Sequence, residues 1–271
     1  MITSTQWQLA QDSAERYQNI LTPAILGPFA EALVDFAGLQ DGEHVVDVGC
    51  GTGAAARYAA TMVGSPGRVM GVDINLSMLA VARSLPAVRG APIAWREANV
   101  TQLPFDDSSV DIVLCAQTLQ FLPEKVLGLA EMRRVVKPSG RVAVSLWCPI
   151  EESPYFYTLV ETIARHIGLE TAAGLKSAFA LSDADEIYEL IEAAGFEQIE
   201  MTVRQLNLPL PNLAEFVPRH ISATPMAASF RQAPPAIQER IVQDVIAELG
   251  IYSRNGQVIV PFRSHMLLST A

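Results

Sequence analysis

Apolar runs alternate with amphipathic stretches between residues 45 and 147. Each run is four to seven residues long, and turn-forming or acidic residues flank most of the runs. Such runs are typical of strands buried in a sheet. The predicted strands are Val45–Val48, Arg68–Ile74, Pro92–Ala98, Ile112–Cys115 and Arg141–Trp147, with Lys137–Gly140 as a turn. Strands that alternate with helices indicate an α/β protein, with a parallel sheet covered by helices on both faces.

The flanks of this region follow a looser pattern. Residues 7–38 place Ile25, Phe29, Leu33 and Phe36 at helical spacing, so residues 1–38 are predicted to form N-terminal helices that Pro23 and Pro28 break or begin. Beyond residue 150 the predicted elements are two helices and two strands: Pro154–Gly168, Ser182–Ala194, Phe196–Leu208 and Gln257–Ser269. Ser182 is expected to cap the second helix and Gly195 to end it.

Six prolines divide residues 209–252 into short helical pieces. An insert of this length is too long for a simple turn between two strands. We interpret it as a helical lid over a core formed by residues 39–208 and 253–271, all within a single domain of residues 1–271. Phe216, Met226 and Phe230 are the apolar residues expected on the inner face of the lid.

Composition narrows the classes of partner. The chain has 271 residues, is 50% hydrophobic and carries a formal net charge of −10. Such an acidic chain has no general attraction for nucleic acid, and no 18-residue apolar run or signal-peptide pattern predicts a membrane span or secretion. Cys50, Cys115 and Cys148 form no metal pattern and no obvious disulfide set, so no metal is expected and a reducing cytoplasm is the expected location.

A glycine-rich loop after the first strand carries the candidate chemistry. Gly49, Gly51 and Gly53 alternate there and lead into an alanine-rich helix, a combination that lets a ligand approach the main chain. Asp47 would repel a pyrophosphate and favour a cationic ligand. Asp73 ends the second strand 22 residues after Gly51, at about the offset of the acids that bind ribose hydroxyls.

These segments resemble the class I S-adenosylmethionine (SAM)-dependent methyltransferases, and among them the type 11 enzymes similar to those of ubiquinone and menaquinone biosynthesis. The resemblance covers residues 40–147 at motif level. It implies a Rossmann-like, doubly wound seven-stranded sheet, mostly parallel with an antiparallel last strand. It also implies SAM as cofactor, with S-adenosylhomocysteine (SAH) as product. The implied cofactor-binding residues are Asp47, Gly49, Gly51, Asp73, Ile74, Met78, Asn99, Val100 and Gln117.

The acceptor side is less defined. Tyr17 and Gln120 are substrate-binding candidates, and His220 is both a substrate-binding candidate and the candidate general base, because the usual pKa of histidine suits that work. The expected partner is a small, apolar or aromatic acceptor, and the protein is expected to be a monomer or homodimer. Whether oxygen, nitrogen or carbon is methylated stays open. Two alternatives remain: an NAD-dependent oxidoreductase that uses the same glycine loop, and a non-catalytic SAM-binding protein.

Overall fold

The computed structural model describes residues 11–270, apart from the side chains of residues 11 and 12. Within this range an eight-stranded sheet forms, in which seven strands follow the order β3-β2-β1-β4-β5-β8-β6 and the two-residue β7 pairs with β8. The strands are β1 (His44–Val48), β2 (Arg68–Asp73), β3 (Ile93–Glu97), β4 (Val110–Ala116), β5 (Val136–Trp147), β6 (Glu197–Pro209), β7 (Ser253–Arg254) and β8 (Gln257–Thr270).

The sheet reverses its direction of growth at β1. Strands β2 and β3 extend it on one side of β1, and β4 and β5 extend it on the other, all in parallel register. Strand β8 runs antiparallel between β5 and β6. The predicted α/β fold, with its antiparallel last strand, is therefore confirmed. Ligands of such sheets bind at the carboxyl ends of the strands beside the reversal point.

Helices cover both faces of this sheet. They are α1 (Gln11–Arg16), α2 (Gly27–Ala37), α3 (Ala54–Met62), α4 (Leu76–Ser84), α5 (Lys125–Val135), α6 (Pro154–His166), α7 (Leu169–Lys176), α8 (Ala184–Ala193), α9 (Leu213–Ser222), α10 (Ala227–Gln232) and α11 (Pro235–Leu249). Alternate residues of a strand face opposite layers, so Val45 packs with α2 and α3 whereas Val46 packs in the layer that contains α5 and α8.

The N-terminal helical stretch runs through both of its prolines. A π-helix, Tyr17–Leu26, joins α1 to α2 and contains Pro23, so the prediction of a break at this proline is wrong. The chain widens instead of ending: Gly27 N–H donates to the Thr22 carbonyl five residues earlier. A side chain at Gly27 would collide with that carbonyl, its Cβ lying 2.7 Å from the oxygen. Such π-helical turns are rare and are frequently found at functional sites.

The same stretch, Ser13–Ala37, is long and apolar enough to cross a membrane by length and composition alone. Core helices meet that test as well. Here Ile25, Phe29 and Leu33 are buried in the core layer above the sheet. The helix is therefore weak evidence for a membrane span.

Three boundaries differ from those predicted. Strand β5 begins at Val136, which pairs with Val110 across a bulge, so Lys137–Gly140 is strand and not turn. Lys137 binds Asp111 at 2.6 Å, which holds this extension to β4. Asp183, and not Ser182, caps α8: its carboxylate accepts from two backbone N–H groups, whereas the Ser182 carbonyl accepts from His265.

Candidate active site

A cavity of about 330 Å³ opens at the carboxyl ends of β1, β2 and β4, beside the point where strand order reverses. Its lining includes all nine residues predicted to bind the cofactor, and Tyr17 as well. Those nine come from the carboxyl ends of β1 to β4, the glycine loop and the first turn of α4, which are far apart in the chain. The fold therefore brings the whole predicted set to one place.

The glycine loop fits its surroundings only because side chains are absent. A Cβ at Gly49 would lie 2.1 Å from the Thr118 side chain, and a Cβ at Gly53 would lie 2.2 Å from the Trp95 ring. Gly51 is different, since nothing lies within 4 Å of its Cβ position. All three residues have positive φ values, between 54° and 89°. Gly49 and Gly53 allow close packing, and Gly51 leaves backbone open beside the cavity.

Asp47 is buried, with 1% of its surface exposed. Its Oδ2 accepts a hydrogen bond from Ala56 N–H in the first turn of α3, at 2.9 Å. Its Oδ1 is buried and has no hydrogen-bond partner among the described residues. Burial raises the pKa of Asp47 to about 7, against the lowering effect of the Ala56 hydrogen bond, and the Asp73 charge adds to the rise. A buried carboxylate with one unpaired oxygen is suited to a ligand that brings positive charge, because that charge favours the ionised form.

Asp73 lies at the end of β2 and is held by the backbone. Gly51 N–H donates to Oδ2 and Asn75 N–H donates to Oδ1, both at 2.8 Å. Burial raises the pKa of Asp73, although the backbone hydrogen bonds oppose it. Ile74 N–H is a third backbone donor to this carboxylate. A carboxylate has about four lone-pair sites, so Asp73, which lines the cavity, can still accept from a ligand hydroxyl.

Most of the other predicted cofactor residues are apolar and line the same cavity. Ile74 is 55% exposed beside Asp73, which is unusual for so large an apolar side chain, whereas Met78 and Val100 are buried. The Asn99 amide oxygen accepts from Thr101 N–H at 3.0 Å, so it closes a local turn at the end of β3. Together these side chains make an apolar slot with one amide at its edge.

The charge of the lining is one-sided. Asp47, Asp73 and Glu124 line the cavity, and no lysine, arginine or histidine is among the described residues that do so. Burial raises the pKa of Tyr17, and the charges of Asp73 and Asp47 add to the rise. A dinucleotide pyrophosphate would meet uncompensated negative charge here, whereas a cationic ligand would be stabilised.

Gln117 follows β4 in a strained conformation. Its φ is 50°, in the left-handed region that few non-glycine residues adopt. Its N–H donates to the Ser145 carbonyl, and its side-chain Nε2 donates to Ser264 Oγ at 2.9 Å. Strain of this kind is concentrated at functional sites. Gln117 lines the first cavity and also a second one.

The second cavity, of about 70 Å³, adjoins the first. Four residues line both: Tyr17, Leu26, Gln117 and Phe121. All three predicted substrate-binding residues, Tyr17, Gln120 and His220, line this second cavity. Phe216, Met226 and Phe230 do not; they are buried in the core instead. The expectation for the inner face of the lid is therefore wrong, because the apolar stripe of α9 and α10 packs inward and the 209–252 segment contributes His220 and Thr224 to the lining.

His220 is buried, with 1% of its surface exposed, and its Nδ1 lies 2.9 Å from the Tyr155 hydroxyl. Tyr155 itself has no exposed surface. Burial lowers the pKa of His220 to about 3. The imidazole is therefore neutral at pH 7, and protonating it costs more than protonating a histidine in water. An imidazole with so low a pKa is a weak proton acceptor, but it can still form hydrogen bonds.

Sequence reasoning missed the aromatic wall of the second cavity. Trp147 ends β5, Phe156 lies on α6 and Phe179 lies on a 3-10 helix, Ser177–Phe179. Their ring centroids are 5.3 to 6.1 Å apart. Trp147 is at a strand end, the feature that led to the other site residues, so it had a usable signal. No local pattern marks Phe156 or Phe179 as facing a cavity.

Comparison with known proteins decides the family. A profile of the methyltransferase domain family matches residues 46–144. A ubiquinone/menaquinone biosynthesis C-methyltransferase from Cupriavidus taiwanensis is 34% identical over 177 residues, which cover 60% of this chain and 71% of that one. The chain belongs to the class I SAM-dependent methyltransferases. Its cofactor is SAM, and the NAD-dependent alternative is not favoured.

Solved structures agree with this methyltransferase in fold. The Haemonchus contortus phosphoethanolamine N-methyltransferase 2, in complex with SAH, has a TM-score of 0.60 and 16% identity, and the match covers 100% of this chain and 60% of that one. A SAM-dependent methyltransferase from Aquifex aeolicus has a TM-score of 0.52 and 22% identity, covering 74% of this chain and 93% of that one. These likenesses concern the architecture and leave the acceptor open.

The described residues of this enzyme also fit SAM on chemical grounds. The buried Oδ1 of Asp47 lacks a partner, and the lining carries acids without bases. SAM has an ammonium and a sulfonium centre and no phosphate. The exposed Gly51 backbone, the Asp73 carboxylate and the apolar slot beside Ile74 offer places for its other parts.

Proposed function

We propose that this enzyme transfers the methyl group of SAM to a small, predominantly apolar or aromatic acceptor bound in the second cavity. The observation that carries the proposal is the junction of the two cavities through Tyr17, Leu26, Gln117 and Phe121. One cavity is acidic, and the other has an aromatic wall with no lysine, arginine, aspartate or glutamate among its described lining residues.

We assign roles in the first cavity from the contacts above. Asp47 takes the positive charge of the cofactor, Asp73 accepts from its ribose hydroxyls, and Gly49 and Gly51 let the main chain approach it. Ile74, Met78 and Val100 cover its adenine ring, and Asn99 lies at the edge of that ring. Asn99 Oδ1 already accepts from Thr101 N–H, so it has one lone pair left for an adenine amino group.

The transfer itself needs little from the protein beyond positioning. SAM, when bound, supplies a methyl group whose leaving group is a neutral thioether. The aromatic wall, Gln117 and the π-helix carrying Tyr17 hold an acceptor at the cavity junction and keep water out, and placing reactants within near-attack distance is a large catalytic term.

The acceptor is larger than the second cavity. Sites for small molecules usually measure about 300–1,000 Å³, and this cavity measures about 70 Å³. Only one end of the acceptor therefore enters it. The related C-methyltransferases take part, by name, in ubiquinone and menaquinone biosynthesis, so ring compounds of that kind are the first acceptors to try.

The test compares neighbouring aromatic residues of α6. The enzyme is incubated with SAM and a panel of ring acceptors, and release of SAH is measured. Phe156→Leu should raise the KM for the acceptor at least about tenfold, the equivalent of ~1.4 kcal/mol, while SAH affinity stays constant. Tyr157→Leu is the matched control, because Tyr157 is 41% exposed on the same helix and does not line the cavity. An unchanged KM in Phe156→Leu would place the acceptor elsewhere.

A further inference from the structure

Two amide side chains of the second cavity have their orientations fixed by their partners. Gln117 Nε2 donates to Ser264 Oγ, and the hydrogen of that hydroxyl is donated to the Leu146 carbonyl at 2.8 Å. Gln120 Nε2 donates to the Gln117 carbonyl at 3.1 Å. Both partners act as acceptors toward the amides. Turning either amide round would set an oxygen against an oxygen, so the two Oε1 atoms must face away from these partners.

Those two oxygens are unpaired. Gln117 Oε1 and Gln120 Oε1 are buried and have no hydrogen-bond partner among the described residues. Gln120 is 6% exposed and lines the second cavity but not the first. A buried acceptor without a donor loses the hydrogen bonds that it had with water. Gln120 Oε1 therefore calls for a donor brought by whatever occupies the second cavity.

None of the described polar groups that line this cavity donates to Gln120 Oε1. The Thr224 hydroxyl donates to the Ile221 carbonyl at 2.8 Å. The Tyr155 hydroxyl, buried beyond the lining, has His220 Nδ1 as its hydrogen-bonding partner. No lysine or arginine is among the described lining residues. A carboxylate or phosphate placed against Gln120 Oε1 would set an acceptor against an acceptor.

We propose that Gln120 selects acceptors that present a neutral O–H or N–H group, and that its amide oxygen rejects anionic ones. This rests on the proposed function, because it assumes that the acceptor occupies the second cavity. Ser264 acts as a positioning residue through Gln117, whose backbone carbonyl in turn orients Gln120. The aromatic wall supplies affinity, and the amide oxygen decides which ring substituents are accepted.

Phenol, anisole and benzoate are the probes for this proposal. They share one ring, but only phenol offers a neutral donor. Binding of each to the SAH-loaded, full-length enzyme is measured by ligand-observed NMR, and soaked crystals of the SAH complex locate the probe. We expect phenol to bind about tenfold more tightly than anisole, as one net hydrogen bond would give, and benzoate to bind more weakly than phenol.

Variants separate the amide from the rest of the cavity. Gln120→Leu should reduce the phenol-to-anisole ratio to near one. Gln120→Glu should retain the preference for phenol, because burial favours the protonated carboxyl group, whose O–H can donate to the Gln117 carbonyl and whose other oxygen stays an acceptor. Gln205→Leu is the control, since Gln205 is exposed on β6. SAH affinity reports whether each variant is folded, because Gln120 does not line the first cavity.

The outcomes are distinguishable. Equal affinity for phenol and anisole in the unmutated enzyme, or a preference that survives in Gln120→Leu, would overturn the selection by Gln120 and leave the proposed function standing. Absence of all three probes from the second cavity, with SAH bound normally, would overturn both proposals together.

Discussion

Asp73 and Gly51 are joined by a 2.8 Å hydrogen bond from the glycine N–H to the Asp73 carboxylate, across 22 residues of chain. This bond ties the end of β2 to the glycine loop that follows β1. The carboxylate that we assign to the ribose therefore also holds the loop that we propose lies against the rest of the cofactor. Binding and local structure are coupled at this one side chain.

Asp73→Ala should therefore have two effects. SAH affinity should fall at least about tenfold, since a hydrogen bond to a charged group contributes ~1.5–3 kcal/mol. The free energy of unfolding of the apo enzyme should also fall by about 1 kcal/mol, because Gly51 and Asn75 lose their acceptor. Calorimetry and urea unfolding measure the two. Asp106→Ala, at an exposed acid, is the control, and unchanged SAH affinity in Asp73→Ala would show that the ribose is bound elsewhere.

The raised pKa of Asp47 predicts that its ionised form lowers the stability of the apo enzyme but favours cofactor binding. Burial raises the folded pKa of Asp47 to about 7, against the ordinary value of 3.8 in the unfolded chain. Between these values the folded state binds more protons than the unfolded state, so stability from this group is lost as pH rises from about 4 through about 7. Asp47→Asn removes that loss. The apo variant should be more stable than the unmutated enzyme, with an advantage that grows up to about pH 7 and then levels.

Binding should change in the opposite direction. SAH affinity of the unmutated enzyme should rise with pH between about 6 and 8 as Asp47 ionises, and Asp47→Asn should bind more weakly and without that rise. Urea unfolding of the apo proteins and calorimetry with SAH at several pH values measure both curves. A pH-dependent rise that persists in Asp47→Asn would assign the titration to another group.

Strand ends explain how much of this site could be predicted from sequence. Asp47, Asp73, Asn99 and Gln117 each follow a short apolar run, and parallel strands bring their carboxyl ends to one edge. These positions can be predicted because they follow from a local sequence pattern and from the order of the strands. The positions of Phe156 and Phe179 depend instead on how α6 and the 3-10 helix after α7 pack over the sheet, and no spacing in the sequence indicates that packing.

The 209–252 segment also shows that sequence does not distinguish residues of the core from residues that line a cavity. Phe216 and His220 are one helical turn apart on α9, and both are buried. Sequence offered the phenylalanine as the apolar contact of an acceptor, yet it packs into the core and the histidine lines the cavity. Helical periodicity identifies a buried face but does not say whether core or ligand covers it.

Gly38, Gly51 and Gly53 all have positive φ values, but we expect their alanine variants to differ in stability and in SAH affinity. Gly53→Ala should lose the most stability, about 1–3 kcal/mol from overpacking against Trp95 in addition to the backbone strain of a positive φ. Gly51→Ala meets no atom within 4 Å, so it should lose only about 1–2 kcal/mol from strain, yet its methyl group should weaken SAH binding.

Gly38→Ala is the matched control for that pair. Gly38 also has a positive φ, of 62°, and open space around its Cβ position, but it lies at the end of α2 and does not line the cavity. It should lose as much stability as Gly51→Ala without any change in SAH affinity. If Gly51→Ala binds SAH as tightly as Gly38→Ala does, the loop does not approach the cofactor closely.

The low pKa of His220 predicts a loss of stability in acid. Burial lowers its folded pKa to about 3, below the ordinary value of 6.5, so the unfolded state binds the extra proton between these values. Stability from His220 is present above about pH 6.5 and is lost at up to ~1.4 kcal/mol per unit as pH falls toward 3. Asp47 changes stability in the opposite direction over much of this range, so the two pH dependences partly cancel in the unmutated enzyme. His220→Ala, compared with it by urea unfolding, should decline less steeply from pH 6.5 to 4.5.

Activity of the same variant separates two roles for His220. Because His220 does not titrate near pH 6.5, its protonation should not lower activity there. The pH profiles of the unmutated enzyme and of His220→Ala should therefore have the same shape near pH 6.5. If His220 only orients the acceptor, His220→Ala should raise the acceptor KM and lower turnover by less than about 100-fold, because a general base contributes ~10²–10⁴-fold. SAH affinity should stay constant, since His220 does not line the first cavity.

Tyr155→Phe removes the hydroxyl that lies 2.9 Å from His220 Nδ1. This variant should also raise the acceptor KM, but by less than His220→Ala does. A loss of turnover beyond about 100-fold in His220→Ala, with acceptor KM and SAH affinity unchanged, would instead assign the proton transfer to this histidine.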